Sequence, residues 1–211
     1  MSHPSMRRRR AEGLRGWASG YARPTMEVKG TAFLARKAMI EREHGPVRFE
    51  EVMRKAALRD AVFKTAILAT TRLPMDAFLR LNDLFVAELY DGDEQSYFRF
   101  GEQSAAWALS PDGPYRRLVT NRSVAEFVAS APAIYRNYFD EGEARAEGHG
   151  DDIRLMILGV PEPHRHVYFE YAIMGYFKRG LEMVSGRRVK MTAHKGFSKG
   201  DAEVVYRYQL E

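Results

Sequence analysis

The chain has 211 residues, 45% of them hydrophobic and 12% aromatic, no cysteine, and a formal net charge of +5. That length suits one domain with a tail, and that apolar content suits a packed core rather than a wholly disordered chain. Without cysteine there is no disulfide framework, thiolate zinc site, iron–sulfur cluster or cysteine nucleophile, a composition that suits a reducing compartment.

The excess charge is local. Residues 1–25 carry Arg7, Arg8, Arg9, Arg10, Arg15 and Arg23 against the single acid Glu12, and the rest of the chain is balanced. A balanced body lacks the basic face of a nucleic-acid-binding domain, so contact with RNA, DNA or an anionic lipid surface falls to Arg7, Arg8, Arg9 and Arg10. Otherwise this segment reads as a disordered, solvated leader, or as sequence ahead of a natural start at Met26. The arginines run into Ala11, Glu12 and Gly13 with no apolar stretch behind them, which is not a secretory signal. The longest apolar runs, such as Ala66–Ile67–Leu68–Ala69, fall far short of the roughly 20 residues of a membrane span. A cytoplasmic location follows by elimination.

Along the chain, a short strand is expected near Glu27–Phe33, then a helix over Leu34–Glu43 stopped by Gly45–Pro46, and a second helix over Val47–Leu58. Val62–Thr71 is apolar and threonine-rich and reads as strand or helix. Pro74 suits the first position of a helix, in which Ala77, Phe78, Leu81, Leu84, Phe85 and Leu89 recur at helical spacing. Asp91–Gly92–Asp93 ends it. Glu94–Leu109 is the next helix, with Gly101, Ala105 and Ala108 on one close-packing side. Val124–Phe139 repeats with a helical period that Pro132 interrupts, by a kink or a new start. Glu143–Glu147 and Ile153–Val160 read as strands around Gly148–His149–Gly150–Asp151. A long helix runs over Val167–Val184 and stops at Gly186. Alternation from Val189 to His194 and from Val204 to Leu210 predicts a closing hairpin. The expected class is α+β: a helical N-terminal half packed on one side of an antiparallel sheet formed mainly by the C-terminal half. One domain spans residues 26–211.

Catalytic signatures are missing. There is no Gly-x-Ser-x-Gly, P-loop or dinucleotide fingerprint, and Gly101–Glu102–Gln103–Ser104 is not one. His164 and His166 sit two apart, as two ligands on a strand would, but a catalytic zinc needs three and nothing fixes the distance to His44, His149 or His194; a polar turn explains them. The acidic groups Asp91–Asp93–Glu94 and Asp140–Glu141–Glu143 lack the ligand spacing of a calcium loop and read as solvated turns.

The C-terminal third carries a helix with Met174–Gly175–Tyr176–Phe177, then Leu181, Gly186, Val189 and Met191, a loop with Gly200–Asp201 and a last strand Val204–Val205–Tyr206–Arg207–Tyr208. This resembles the end of the 4-vinyl reductase domain, whose superfamily also includes haem-nitric-oxide-binding domains and TRAPP-type trafficking subunits. From Val28–Lys29–Gly30–Thr31 through Ala35–Arg36–Lys37, Leu73–Pro74, Gly101 and Tyr135–Arg136–Asn137–Tyr138–Phe139–Asp140–Glu141–Gly142, the chain also resembles an uncharacterised paralogous family expanded in myxobacteria. The superfamily resemblance implies a ligand pocket between helices and sheet for haem, acyl chains or small hydrophobic molecules, and a regulatory or scaffolding role. The cysteines of the 4-vinyl reductase pattern are replaced here by Val204, Val205 and His194–Lys195. The histidine and Tyr-x-Ser-x-Arg motif of the haem-binding relatives are also missing, and Val124–Tyr138 holds no histidine. No cofactor is expected.

Tyr135, Tyr138 and Phe139 share one predicted helix, and Tyr168, Phe169, Tyr171, Tyr176 and Phe177 another. Aromatics at that spacing are ordinary core, but buried tyrosines want hydroxyl partners, and an apolar wall with a few polar tips is the usual small-molecule site. Tyr135, Tyr138, Tyr171 and Phe177 are therefore the expected ligand-binding residues. The resulting expectation is a non-catalytic sensor or scaffold domain binding a small apolar ligand. Its alternatives are a protein–protein interaction module, as a homodimer packed through Gly101, Ala105, Ala106 and Ala108 or on a signalling partner, and polyanion contact through the arginine-rich tail.

Overall fold

The computed structural model describes residues 26–211. The expectations placed on residues 1–25, including Arg7, Arg8, Arg9 and Arg10, lie outside the described residues.

The architecture is the expected α+β arrangement. Helices α1 (Gly30–His44), α2 (Pro46–Arg59), α3 (Met75–Leu89), α4 (Gln95–Ala108), α5 (Arg116–Thr120) and α6 (Val124–Tyr138) precede the main sheet. Strands β3 (Glu143–His149) and β4 (Asp152–Leu158), helix α7 (Val167–Ser185), and strands β5 (Val189–Lys195) and β6 (Val204–Leu210) complete the fold. The four strands are antiparallel in the order β3-β4-β6-β5. Period-2 alternation decides which face is buried. Ile153, Leu155, Ile157, Val204, Tyr206, Tyr208 and Leu210 point into the core; α7 packs on β5 and β6, and α6 on β3. The other face carries ion pairs in water, Arg207 with Asp152 and Lys195 with Glu203 among them.

The strongly periodic segments form the expected elements within a residue or two. Gly186, at φ 69°, closes α7 in the left-handed conformation that favours glycine. Shorter features differ. The first strand ends at Lys29, because the chain turns into α1 at Gly30, and this β1 (Glu27–Lys29) pairs with a three-residue β2 (Arg72–Pro74). Val62–Thr71 forms neither a regular strand nor a helix. A single 3₁₀ turn covers Ala61–Lys64, only Phe63 is buried, and Leu68 is 63% exposed, so the segment crosses the surface as a connection. Pro74 precedes α3 rather than opening it. Pro132 does not start a second helix: α6 runs through it, capped by the Ser123 hydroxyl accepting from Glu126 N and held by buried Phe127, Val128, Ala131, Ile134 and Tyr135 on both sides of the proline. Helix α5 has no buried residue and hence no apolar period to announce it.

The tightest packing joins α4 to α7. A Cβ on Gly101 would run into the Ala172 carbonyl and lie 2.7 Å from Tyr176 N; one on Gly175 would run into the Phe98 carbonyl, 3.0 Å from its carbon. Main chain touches main chain at both points. The small-residue face of α4 is thus covered within the chain by α7, with Gly101 and Ala105 buried, and is not free to receive a second copy.

Candidate functional site

A cavity of about 80 Å³ lies between α1, α4, α6, α7 and the sheet. Helical spacing presents Tyr168, Ala172 and Tyr176 as one stripe of α7 toward it, with Ile173 and Phe177 beside them. Helix α6 contributes Ala131, Ile134, Tyr135 and Tyr138, and α1 contributes Ala32, Ala35 and Arg36. Gly101 and Ser104 close the α4 side, Ala144 and Leu155 the sheet side. The gap exists because alanines and a glycine stand where larger side chains would meet across the interface.

Of the four residues expected at a site, Tyr135, Tyr138 and Phe177 stand on this wall. Tyr171 does not. At about 100° per residue it falls on the flank of the Tyr168–Ala172–Tyr176 stripe, half-buried toward Tyr206. The Tyr135 hydroxyl is engaged, donating to the Glu141 carbonyl at 3.0 Å. Burial pushes the Tyr138 and Tyr176 phenols up, so both stay protonated at neutral pH. The Tyr176 hydroxyl is buried with no hydrogen-bond partner.

Arg36 was not among the expected site residues. It is 3% exposed, and Phe33, Arg36 and Ile40 fall on one buried stripe of α1. Its Nε donates to Asn82 Oδ1 at 2.9 Å, its Nη1 meets the Met39 sulfur at 3.6 Å, and its guanidinium lies 3.6 Å from the Phe100 ring centre. No carboxylate is within ion-pair distance of it among the described residues; Glu43, the acid acting on it at range, bonds the Tyr90 hydroxyl at 2.7 Å. Burial pushes the guanidinium down to about 10, against a smaller opposing pull from Tyr168. A desolvated cation–π contact contributes about 2 kcal/mol, whereas stripping a cation of water costs several kcal/mol even after relaxation. Arg36 is therefore a charged, under-compensated group on an otherwise apolar wall. The sequence signal was present: an arginine at the i+3 position between Phe33 and Ile40 sits on the apolar side of its helix.

The histidines do other work. His164 Nε2 lies 2.9 Å from Asp76 Oδ1, and His166 Nε2 lies 3.4 Å from Asp83 Oδ1. His166 Nδ1 also accepts from Tyr168 N at 3.1 Å, capping α7. The two rings thus pin the start of α7 to two turns of α3, on different carboxylates, and no group of three His, Asp or Glu is placed to hold a metal among the described residues. Burial pushes the Asp83 carboxyl up, but hydrogen bonds from His166 and Tyr97 outweigh it and hold the group below the usual range. The acidic turns cap backbone: Asp93 accepts from Gln95 N at 3.0 Å, and Asp140 from Glu27 N at 2.7 Å.

An antiparallel four-stranded sheet covered on one face by α6 and α7, with a cavity at the helix–sheet boundary, is an α+β fold that this chain shares with H-NOX domains of known structure. The solved structures similar to this chain include an H-NOX protein from S. oneidensis in its Fe(II)NO state, at 12% identity and TM-score 0.66 over 87% of this chain and 99% of that one. They also include an unliganded Fe(II) H-NOX variant from K. algicida, at 13% identity and TM-score 0.65 over 87% and 96%, and a protein from a study of haem distortion in the H-NOX family, at 11% and 0.65 over 87% and 95%. At such identities the likeness is one of fold. No family model and no curated protein matches the chain, and the resemblance to a myxobacterial family finds no support there.

Haem does not fit this site. The wall offers no histidine, cysteine or methionine as an axial ligand. Its buried tyrosines are held protonated, and the Tyr135 hydroxyl is already bonded. A space of about 80 Å³, walled in part by Tyr138, Phe139 and Phe177, is well below the roughly 300–1,000 Å³ of pockets for drug-sized ligands. Haemin added to the full chain is expected to give no stoichiometric shift of its Soret band; a saturable one-to-one band would show that the wall opens and supplies a ligand.

Proposed function

We propose that the chain is a non-catalytic sensor domain that takes a small, largely apolar molecule into the cavity between α6, α7 and the sheet. The observation that carries this reading is an apolar space at the helix–sheet boundary of an H-NOX fold, with the unpartnered Tyr176 hydroxyl in its wall. Apolar cavities of roughly 150 Å³ hold benzene or xenon, so a space of about 80 Å³ suits a smaller guest or one that pushes its walls apart. Tyr135, Tyr138 and Phe177 form the aromatic wall, and Tyr138 and Tyr176 offer hydroxyls for orientation.

Titration of the full chain with toluene, followed by ¹H–¹⁵N NMR, tests the reading. Shifts should concentrate on the amides of Ala131, Ala144 and Ala172, and Ala131→Leu, which fills the space, should weaken binding at least ten-fold while the protein stays folded. Shifts scattered over the outer surface, or unchanged affinity in Ala131→Leu, would overturn it.

A further inference from the structure

Among the described residues, Glu170 and Arg36 are deeply buried charged groups, and the fold treats them differently. Glu170 on α7 is 1% exposed, and its carboxylate accepts three hydrogen bonds: from Ser198 N at 2.8 Å, Ser198 Oγ at 3.0 Å and the Tyr206 hydroxyl at 2.8 Å. That anion is satisfied by its own chain. Arg36, buried to the same degree, has the Asn82 oxygen, the neighbouring Tyr168 hydroxyl, one sulfur and one ring face, all of them neutral, for a group with five N–H donors. Buried charges are as a rule paired, and a guanidinium is shaped to bind a carboxylate through two parallel hydrogen bonds. Arg36 lines the cavity, which gives a counter-ion a place beside it.

We infer that the cavity's ligand is a monocarboxylic acid, bound as its anion, with the carboxylate on Arg36 and a short apolar body running along the alanine-lined wall toward Tyr176. The inference rests on the reading of the cavity as a ligand site and adds the head group. Tyr168, whose hydroxyl oxygen faces the Arg36 guanidinium, keeps its own O–H to donate to a carboxylate at the charged end. The apolar end is bounded by Ala131, Ala172 and Phe177, which reject a second charge. The ligand is thus amphiphilic and compact. Neutral hydrocarbons fill the space but leave Arg36 without its counter-ion.

Calorimetric titration of the full chain at pH 7 with butanoate, hexanoate and benzoate, each beside the matching alcohol, tests this. At least one acid should bind ten-fold or more tighter than its alcohol. In Arg36→Met that ratio should fall to about one, and Arg36→Lys should keep part of it. The Arg36 Nε–H resonance of the unaltered protein should move with the acid and stay with the alcohol, a readout that needs no folded variant. Equal affinity for acid and alcohol, or an acid preference that survives in Arg36→Met, would overturn the carboxylate inference while leaving the cavity a ligand site. If neither acids, alcohols nor toluene bind, the ligand-site reading fails together with it.

Discussion

Gly101→Ala should lower the melting temperature by roughly 6–12 °C. In an ordinary helix interior the change is favourable, by roughly 0.5–1 kcal/mol, because alanine loses less conformational freedom on folding. Here the sign reverses. The added methyl meets the Ala172 carbonyl and lies 2.7 Å from Tyr176 N, both main chain, so no side chain can swing away to admit it. Overpacking ordinarily costs about 1–3 kcal/mol, and a backbone clash falls at the top of that range or above it. About 3 kcal/mol corresponds to that shift in a chain of this size. Gly175→Ala meets the Phe98 carbonyl across the same helix pair and should behave alike. The two sites share one interface, so the double variant should lose less than the sum of the single losses once the helices have separated. Thermal unfolding by circular dichroism measures all three, and an unchanged or raised melting temperature in Gly101→Ala would show that α4 and α7 do not pack this closely.

Glu170→Ala should cost about 3 kcal/mol, at the upper end for hydrogen bonds to a charged group. The substitution strands the Ser198 N–H, the Ser198 hydroxyl and the Tyr206 hydroxyl that the carboxylate now accepts from. Burial, and then the bond to Glu170, push the Tyr206 phenol up, so it remains the proton donor of that pair across the neutral range. Glu170→Gln keeps the shape but turns one acceptor oxygen into a donor facing other donors, and should recover only part of the loss. Gly196 is the counterpart on the loop, because a Cβ there would lie 2.5 Å from the carboxyl carbon of Glu170. Urea unfolding of Glu170→Ala, Glu170→Gln and Gly196→Ala should therefore rank all three well below the unaltered chain. Near-native midpoints for Glu170→Ala would mean that the β5–β6 connection holds without the carboxylate.

These two features mark what the sequence could and could not reveal. Helices α2, α3, α4, α6 and α7 were legible because each buries a stripe at helical spacing, and β3 to β6 because one face alternates with the other. Strand β2 and helix α5 were not, since three to five residues with little burial leave no period to read, nor was the course of residues 62–71, where Phe63 is the one buried side chain. The close approach at Gly101 was hinted at by small residues, but its partner was not: only the folded chain shows that α7, rather than a second copy, covers that face. In the site, aromatic spacing pointed to Tyr135, Tyr138 and Phe177, while Tyr171 shows that a residue can share the right helix and face the wrong way. The role of Arg36 is not legible in the sequence, because it depends on what is missing around the side chain. A helix wheel places it among apolar residues, but the lack of a carboxylate there is a three-dimensional fact.

The main-chain contact between α4 and α7 also sets how the cavity can respond to a guest. Where Gly101 meets Ala172 and Gly175 meets Phe98 there is no layer of side chains between the helices, and so nothing compressible. That wall is stiff, and a load on one helix displaces both. The opposite wall is built from Ala131, Ile134 and Tyr138 on α6, a helix that lacks one backbone hydrogen bond at Pro132. Strain from an oversized guest is therefore relieved on the α6 side. From there it reaches β3, which packs under α6 and lies at the sheet's edge, where a strand can shift without disturbing a neighbour on its far side.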